Sequence, residues 1–507
     1  MKTAIVGGGI GGIVTALLLA RKGMEVEIYE KSGKLGGRLA YQEGGGYRID
    51  QGPTIVLLPE MLLEILAECG VERDALELLP CDPMYAIHYG DGTVFRKWKD
   101  TDAQLAEISV TFPGEEEGFK DYIRDMSRIF TEGKRAFLEK AFLRKRHFLT
   151  IGNLQLLSKL GAFRSVRGLS GRYFHSEQLK DAFSLQTLYI GGSPSRVPGI
   201  YTLLPYAEHA FGVWYLKGGY ARLVEVLERE LRKQGITVHL EQPVSQLHIE
   251  ESVCKGLVTQ GELKRYDAVV YNGDFPNIRE LYPDNLTAAK KKAGGLMGKK
   301  YVPSSGCMLI YMGLNRQWPC SHVHQFYLPA SLTDSLKEIF EEHRIPKDPS
   351  FYVFNPSRID EQAAPPGKSV LYMLVPVPSD EYIDWSKAAE PLKERVMQEA
   401  ERRGFPGLQD SVEWLELRTP ADARRDGLYG GGSFGIAPIL NQSGLFRPQI
   451  VPDTIAGLYA VGASLHPGGG IPIVMQGARL AANHIEKEMK VHGASTDIGA
   501  MRAINPR

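Results

Sequence analysis

Residues Thr3–Lys31, "TAIVGGGIGGIVTALLLARKGMEVEIYEK", carry the pattern that decides the fold. A short apolar strand, Ala4–Val6, leads into a G-x-G-x-x-G run and then into a helix with an apolar repeat. A second strand, Glu25–Tyr29, ends at the acidic residue Glu30. Strand, glycine loop, helix, strand and acid in this order predict a Rossmann-type unit of an α/β fold that binds a dinucleotide.

Each glycine of this run has a separate physical task. Gly7 allows the tight turn, Gly9 lets a pyrophosphate approach the backbone, and Gly12 lets the helix pack closely on the strand. The helix N-terminus presents unpaired N–H groups to the phosphates. Glu30 lies about 20 residues further on, where an acid accepts hydrogen bonds from ribose hydroxyls.

Two further loops indicate that the dinucleotide is FAD rather than NAD. After Glu30 the chain reads "KSGKLGGR", a second glycine loop that a nicotinamide domain does not need, and Arg38 can neutralise a phosphate there. "DQGPTIV", residues 50–56, predicts a Gly-Pro turn at a strand end near the ring. The residues predicted to contact FAD in these loops are Lys31, Gly37, Arg38, Gly52, Pro53 and Thr54.

Composition excludes several classes of function. The 60 basic and 60 acidic residues cancel, so no global field attracts nucleic acid. The five cysteines show no C-x-x-C pair, which argues against a metal centre and favours a reducing compartment. The longest early apolar run, 13–20, is far too short to cross a membrane. We therefore expect a cytoplasmic protein without transmembrane helices.

The run Glu30–Arg38, E-K-x-x-x-x-G-G-R, resembles the amine oxidase and phytoene desaturase superfamily of FAD enzymes. The resemblance implies a discontinuous FAD-binding domain made of residues 1–94, 214–274 and 426–490. It also implies an inserted α+β substrate domain, residues 95–213 and 275–425, followed by a tail at 491–507. In such a fold Val244 matches the position whose backbone contacts the adenine. Because no Cys or His stands in a recognisable attachment context, we expect FAD to be bound non-covalently.

The segment "GLYAVGASLHPGGGIPIVMQGARLAA", residues 457–482, resembles the part of these enzymes that returns to complete the flavin site. Its glycines would let backbone lie against the isoalloxazine ring. The helix that starts near Ile471 would direct its positive end at the ring. The residues predicted to contact FAD here are Gly462, Ala463, Gly470, Ile471, Pro472 and Ile473.

The segment Lys134–Phe174 interleaves Lys and Arg with aromatic residues and contains one acid, Glu139. A basic face beside apolar side chains suits an anionic membrane surface, so we expect a helical, membrane-facing part and peripheral attachment there. The alternative is a solvated helix pair with ordinary core aromatics.

Residues 185–219 and 434–449 are similar to bacterial carotenoid desaturases of the C30 branch. This similarity implies FAD-dependent dehydrogenation of 4,4'-diapophytoene to 4,4'-diaponeurosporene and 4,4'-diapolycopene, with a hydrophobic polyene as substrate and quinone or oxygen as electron acceptor. The alternatives are a C40 phytoene desaturase, a carotenoid end-group oxidase, an amine oxidase and a non-enzymatic FAD-binding scaffold. No catalytic residue is identified, since Glu208, His209 and His466 are each more readily explained as structural.

Overall fold

The computed structural model describes residues 1–142, 148–159, 161–283, 299–452 and 455–503, without the side chains of 489 and 491–503. The strands, numbered in chain order, are β1 Lys2–Val6, β2 Glu25–Tyr29, β3 Tyr41–Gly44, β4 Tyr47–Asp50, β5 Leu78–Pro80, β6 Tyr85–His88, β7 Val94–Lys97, β8 Trp214–Leu216, β9 Thr237–His239, β10 Val244–Glu250, β11 Val253–Thr259, β12 Glu262–Arg265, β13 Ala268–Tyr271, β14 Gly306–Leu314, β15 His324–Tyr327, β16 Phe351–Phe354, β17 Ser369–Val377, β18 Val412–Arg418 and β19 Leu458–Ala460.

The helices alternate with these strands in the first and last parts of the chain and cluster between β7 and β8. They are α1 Ile10–Arg21, α2 Pro59–Glu68, α3 Thr101–Thr111, α4 Glu116–Gly133, α5 Ile151–Lys159, α6 Val166–Ser170, α7 Glu177–Ala182, α8 Leu203–Phe211, α9 Gly219–Lys233, α10 Leu332–Phe340, α11 Trp385–Arg403, α12 Pro420–Arg425 and α13 Ile471–Ala503.

A parallel sheet of five strands, in the order β19-β13-β1-β2-β9, forms the centre of the dinucleotide-binding unit. β1 lies between β2 and β13, so strands from the N-terminal, central and C-terminal parts of the chain share one sheet. α1 packs against α13 and buries its apolar residues in the same core. The predicted order of strand, glycine loop, helix and strand is confirmed.

The central part of the chain, between residues 219 and 271, forms one helix, α9, followed by the five strands β9–β13. α9 buries its apolar face, which includes Leu223, Leu227 and Leu231, in the core of the parallel sheet. β10, β11 and β12 form a separate antiparallel meander. The meander precedes β13, which returns the chain to the parallel sheet beside β1.

A second, mixed sheet has the order β18-β14-β17-β16-β15-β6-β7. β6 pairs in parallel with β15, which lies more than 200 residues later in the chain. β6 and the first residue of β7 lie in residues 1–94, which the sequence assigns to the FAD-binding domain, so the second sheet draws on both sides of that limit. The domain limits stay a prediction.

The two faces of the seven-stranded sheet have different coverings. One face packs against the helical region between β7 and β8, where Tyr85 and Phe326 of the sheet share a core with Phe119 and Phe183. The other face packs against α11, which contributes Trp385. The first face is the one that borders the candidate site described below.

The last helix, α13, runs on to Ala503, through most of the residues expected to form a separate tail. No helix among the described residues is both long enough and apolar enough to cross a membrane. In the predicted membrane-facing segment, residues 134–138 form a π-helical turn, followed by α5 and α6. Residues 143–147 of that segment lie outside the described part.

Candidate active site

The first glycine loop packs as its spacing predicts. Gly7 has a φ of +103°, a value that glycine adopts without strain. A Cβ on Gly12 would lie 2.2 Å from the carbonyl oxygen of Gly7, so α1 contacts its preceding turn too closely for any side chain. The Asn272 amide, at the end of β13, donates to the same Gly7 carbonyl over 3.0 Å. The loop is therefore fixed by a close backbone contact and by the side chain of Asn272.

The second glycine loop lies directly on the first. The amide of Gly36 donates to the carbonyl of Gly8 over 2.9 Å. A Cβ on Gly37, whose φ is +56°, would lie 3.3 Å from the Cα of Gly9. Because both loops are bare backbone at this contact, they form one continuous glycine surface at the N-terminus of α1.

Two charged residues between the glycine loops, Glu30 and Lys31, form hydrogen bonds at the edge of the cavity. Glu30 is buried, and its carboxylate accepts from the Gly8 amide over 2.7 Å and from the amide and hydroxyl of Ser32. Lys31 donates to the carbonyl of Asp426 over 2.8 Å, from the other side of the same opening. Glu30 thus holds both glycine loops at the position where the sequence places the ribose acceptor.

Asp274 joins the three segments of the site, and the sequence does not identify it. Its carboxylate lies 3.5 Å from the guanidinium of Arg38 and accepts from the Tyr429 amide over 3.0 Å and from the Ser464 hydroxyl. These partners come from the N-terminal and C-terminal parts of the chain. The sequence does contain a cue to Asp274, because "NGD" follows directly on β13. The residues that contact Asp274, however, lie far from it in the chain.

The C-terminal glycine loop exposes backbone to an open space. Gly462, Gly468 and Gly470 have φ values of +132°, +140° and +95°, all in the region that favours glycine. A Cβ on Gly468 would have no atom within 4 Å, and one on Gly470 would have only a single atom, at 3.9 Å. α13 begins at Ile471, as predicted, directly after this loop.

These loops line one end of a single cavity of about 1220 Å³. Of the predicted cofactor residues, all but Gly12 border it. Those that do are Gly7, Gly9, Glu30, Lys31, Gly37, Arg38, Gly52, Pro53, Thr54, Val244, Gly462, Ala463, Gly470, Ile471, Pro472 and Ile473. We call this end the glycine half.

The other end, the apolar half, is lined by side chains from the region between β7 and β8 and from the seven-stranded sheet. They include Phe130, Leu185, Leu188, Tyr189, Leu203, Ala207, Phe326 and Tyr352, and Phe434 joins them from the chain between α12 and β19. The stretches 182–192 and 200–215, whose apolar content predicts a tunnel wall, contribute several of these residues. The two halves are continuous, so a flat cofactor in one end would face an apolar molecule in the other.

The ionisable residues singled out in the sequence lie in different places. Glu208 is fully buried outside the cavity lining and accepts from Tyr85 over 2.6 Å and from Gln186 over 3.0 Å, and burial raises its pKa. His209 donates to the carbonyl of Trp98 over 3.1 Å and also lies outside the lining. Both arrangements support structural roles.

His466 does border the cavity. Its Nε2 donates to the carbonyl of Lys140 over 2.9 Å, and burial lowers its pKa to about 4, so the ring is neutral near pH 7. This hydrogen bond joins the C-terminal glycine loop to the segment predicted to face the membrane.

The glycine half fits FAD. Two touching glycine loops and a helix N-terminus suit a pyrophosphate. Open backbone at residues 468–470 leaves room for a flat ring without displacing any side chain. Among the described residues no group of three or more His, Cys, Asp or Glu side chains is arranged to hold a metal ion.

Comparison with known proteins supports this assignment. A family model for the flavin-containing amine oxidoreductases matches residues 10–486. A 4,4'-diapolycopen-4-al dehydrogenase of Metabacillus indicus is 48% identical over 96% of this chain and 97% of its own. A 4,4'-diapophytoene desaturase (4,4'-diapolycopene-forming) of Methylomonas is 30% identical, over 96% and 95%.

A crystal structure of an oxidoreductase from Methanosarcina mazei superimposes with a TM-score of 0.64 at 18% identity, covering 94% of this chain and 99% of that one. At that identity the likeness shows the fold alone. The family match spans both halves of the cavity and most of the chain. The chain therefore belongs to the flavin-containing amine oxidoreductase family and is an oxidoreductase with FAD as its cofactor.

Proposed function

We propose that this protein desaturates a linear C30 polyene, converting 4,4'-diapophytoene to 4,4'-diaponeurosporene and 4,4'-diapolycopene. The observation that carries the proposal is the continuity of the glycine half with the apolar half in one cavity. The relatives add the substrate class, because the names of both refer to linear C30 carotenoids.

The apolar half suits a substrate without charges. Such a molecule is held by burial of apolar area, at about 25 cal/mol per Å². The side chains that line this half exclude water and hold the chain beside the glycine backbone. When bound there, FAD accepts the hydride that desaturation removes from the substrate. Catalysis then depends on positioning more than on a charged constellation.

A second candidate is oxidation of a terminal aldehyde, the end-group reaction. It is favoured by one observation: the relative that is 48% identical is named for an aldehyde substrate, whereas the desaturase is 30% identical. Both reactions use the same cofactor and the same kind of chain.

The test offers each substrate in vesicles to anaerobic, FAD-loaded protein and follows bleaching of the flavin. Desaturation predicts bleaching by 4,4'-diapophytoene and new visible absorbance, with less bleaching by C40 phytoene. Bleaching only by 4,4'-diapolycopen-4-al, with formation of the acid, would replace the desaturase assignment by the end-group reaction. Readmitting oxygen or adding a quinone then identifies the electron acceptor by the rate of flavin recovery.

We also propose that the protein binds a membrane at the mouth of the apolar half. Four apolar side chains of one segment are exposed there: Leu149 by 52%, Ile151 by 77%, Leu154 by 46% and Phe163 by 74%. Three of them, all but Ile151, also border the cavity. An exposed apolar patch around a cavity mouth is typical of a membrane-contacting surface. A polyene dissolved in the bilayer would then enter without crossing water.

Replacing Ile151 and Phe163 together with Asn tests this surface. Each side chain buried in the membrane contributes about 1.5–3 kcal/mol to the free energy of binding, so the fraction of protein that floats with anionic vesicles should fall at least about tenfold. Val110, 85% exposed on α3 and outside the cavity lining, provides the matched control Val110→Asn. Equal flotation of the double variant and the control would contradict this placement.

The charges of the same segment give a second test. Arg144, Lys145 and Arg146 lie outside the described residues, but their sequence predicts attraction to anionic lipid. Changing all three to Glu should weaken binding by about 1 kcal/mol for each charge removed. Unchanged flotation at low salt would contradict the electrostatic contribution.

A further inference from the structure

A chain of hydrogen bonds leaves the cavity wall beside the predicted ring position. The Thr54 hydroxyl lies 2.7 Å from the Tyr352 hydroxyl, which in turn lies 2.7 Å from Nδ1 of His324. All three side chains are buried. Thr54 and Tyr352 border the cavity, whereas His324 lies behind Tyr352 and outside the lining. Two residues of the cavity wall are thus connected to a histidine that does not border the cavity.

Two other tyrosines also contact the loop that carries Thr54, but they bond to its backbone and not to a side chain. Tyr311 donates to the carbonyl of Gln51 over 2.7 Å, and Tyr220 donates to the carbonyl of Ile55 over 3.0 Å. These two hydroxyls end on backbone and fix the loop. Tyr352 alone of the three meets a titratable side chain, so its hydroxyl can pass a proton onward.

His324 is an uncharged base in an apolar setting. Its ring stacks on Phe354 at a centroid distance of 5.2 Å, and burial lowers its pKa to about 3, so the imidazole is neutral. Its Nε2 has no hydrogen-bond partner among the described residues. Burial raises the pKa of Tyr352, which therefore remains a phenol with a proton to donate.

We propose that Tyr352 accepts the proton that leaves the substrate and that His324 takes the proton of Tyr352 in the same step. This rests on the proposed function, which removes two hydrogens from neighbouring atoms. One hydrogen would leave with both bonding electrons as a hydride, for which FAD bound in the glycine half would be the acceptor. The other leaves as a proton to the Tyr352 oxygen, and its C–H electron pair becomes the new double bond.

The proton balance closes on this chain's own residues. As the Tyr352 oxygen gains the substrate proton, its original proton moves to Nδ1 of His324, so tyrosine stays neutral and imidazole becomes imidazolium. When the product has left, the proton returns through Tyr352 to the quinone or oxygen that accepts the electrons. Tyr352 is the catalytic residue, and His324 is a positioning residue that acts through it.

The surroundings of Tyr352 support a step with cationic character. Loss of a hydride leaves positive charge on the polyene, and aromatic faces stabilise such charge. Phe326 lies 5.0 Å from Tyr352 between ring centroids, and both rings border the cavity. Glu208 is a poorer candidate for the proton acceptor, because it does not border the cavity.

The test measures anaerobic flavin reduction by 4,4'-diapophytoene in vesicles, together with FAD content and melting temperature. Tyr352→Phe keeps the ring and removes the hydroxyl, and we expect the rate to fall about 100-fold with FAD content unchanged. His324→Asn keeps an oxygen that can accept the Tyr352 hydrogen bond but cannot take its proton. We expect His324→Asn also to reduce its flavin slowly, with the KM for 4,4'-diapophytoene unchanged.

A solvent isotope effect separates the relay from loop positioning. Wild type should reduce its flavin more slowly in heavy water, and His324→Asn should lose that difference. Tyr311→Phe is the matched control, because it removes an anchor of the same loop whose hydroxyl lies outside the cavity. Equal rates for Tyr352→Phe and Tyr311→Phe would overturn the relay.

Two other outcomes are also decisive. If Tyr352→Phe does not fold, a wild-type rate in His324→Asn overturns the relay by itself. If neither 4,4'-diapophytoene nor 4,4'-diapolycopen-4-al reduces the flavin of the wild type, the proposed function fails, and the relay fails with it.

Discussion

The two halves of the cavity are built in different ways. The glycine half consists of backbone from loops near residues 7–12, 30–38 and 462–470, held by Glu30 and Asp274. The apolar half consists of side chains from helices and from the seven-stranded sheet. A cofactor with charged phosphates needs donors at fixed positions, whereas a polyene needs only a dry wall of the right shape. Small changes should therefore damage the glycine half more than the apolar half.

The largest expected effect is loss of FAD in Gly9→Val. Gly9 has φ −75° and ψ 173°, which any residue adopts, and a Cβ there would have only the Asn272 amide within 4 Å, at 3.1 Å. The protein alone should tolerate the change, but the approaching pyrophosphate should not. We expect a loss of about 3 kcal/mol, roughly 100-fold in affinity.

Fluorescence titration of the apoprotein with FAD measures this affinity. Gly33→Val is the matched control, because Gly33 lies in the second loop, is exposed and does not border the cavity. A folded Gly9→Val variant that binds FAD as wild type does would refute the assignment of the glycine half.

Glu30→Ala should have the next largest effect. The carboxylate holds Gly8 and Ser32, and its removal also takes away the predicted ribose acceptor. For charge-assisted hydrogen bonds we expect about 1–3 kcal/mol of lost FAD affinity. Acid precipitation should still release free FAD from wild type, as non-covalent binding requires. Retention of FAD by Glu30→Ala at the wild-type level would show that the loops need no acid.

Ile471→Trp sharpens the boundary between the halves. Ile471 borders the cavity at the first residue of α13, so a larger side chain should fill space between ring and polyene. We expect FAD to be bound at the wild-type level and the flavin to be reduced by 4,4'-diapophytoene roughly tenfold more slowly. The reason is that a substrate held away from its productive position reacts more slowly. An unchanged rate would mean that the polyene does not pass this residue.

The last expected effect is on the stability of the fold and not on cofactor or substrate, at Lys97 behind the apolar half. This side chain is fully buried, its ammonium has no hydrogen-bond partner among the described residues, and burial lowers its pKa to about 7. Lys97→Met should raise the free energy of unfolding by about 1–3 kcal/mol.

The effect of Lys97→Met should also depend on pH. Because the folded pKa lies below the unfolded value of 10.5, the unfolded chain binds the extra proton between pH 7 and 10.5. Wild type therefore gains stability relative to the variant as the pH rises through that window. Urea unfolding at pH 7 and pH 10 measures the free energy of unfolding of wild type and of Lys97→Met. If the two proteins differ by the same amount at both pH values, the lowered pKa of Lys97 is contradicted.

Short-range patterns determined the individual loops of the glycine half. Gly7, Gly9 and Gly12 occupy positions set by a turn of a few residues, and Glu30 follows at the end of the next strand. Such geometry depends on local backbone preferences, which are visible in one stretch of chain. For the same reason the helix starting at Ile471 was predicted at its observed residue.

Contacts between distant segments were decided only in the tertiary structure. The pairing of β6 with β15 moves residues 85–97 into the second sheet, although local sequence gives no sign of that partner. Asp274 meets Arg38 and Ser464, and Thr54 meets Tyr352, across separations of roughly 190 to 300 residues. Apolar alternation tells a strand which face to bury but not which strand lies beside it, so these contacts depend on how the layers pack.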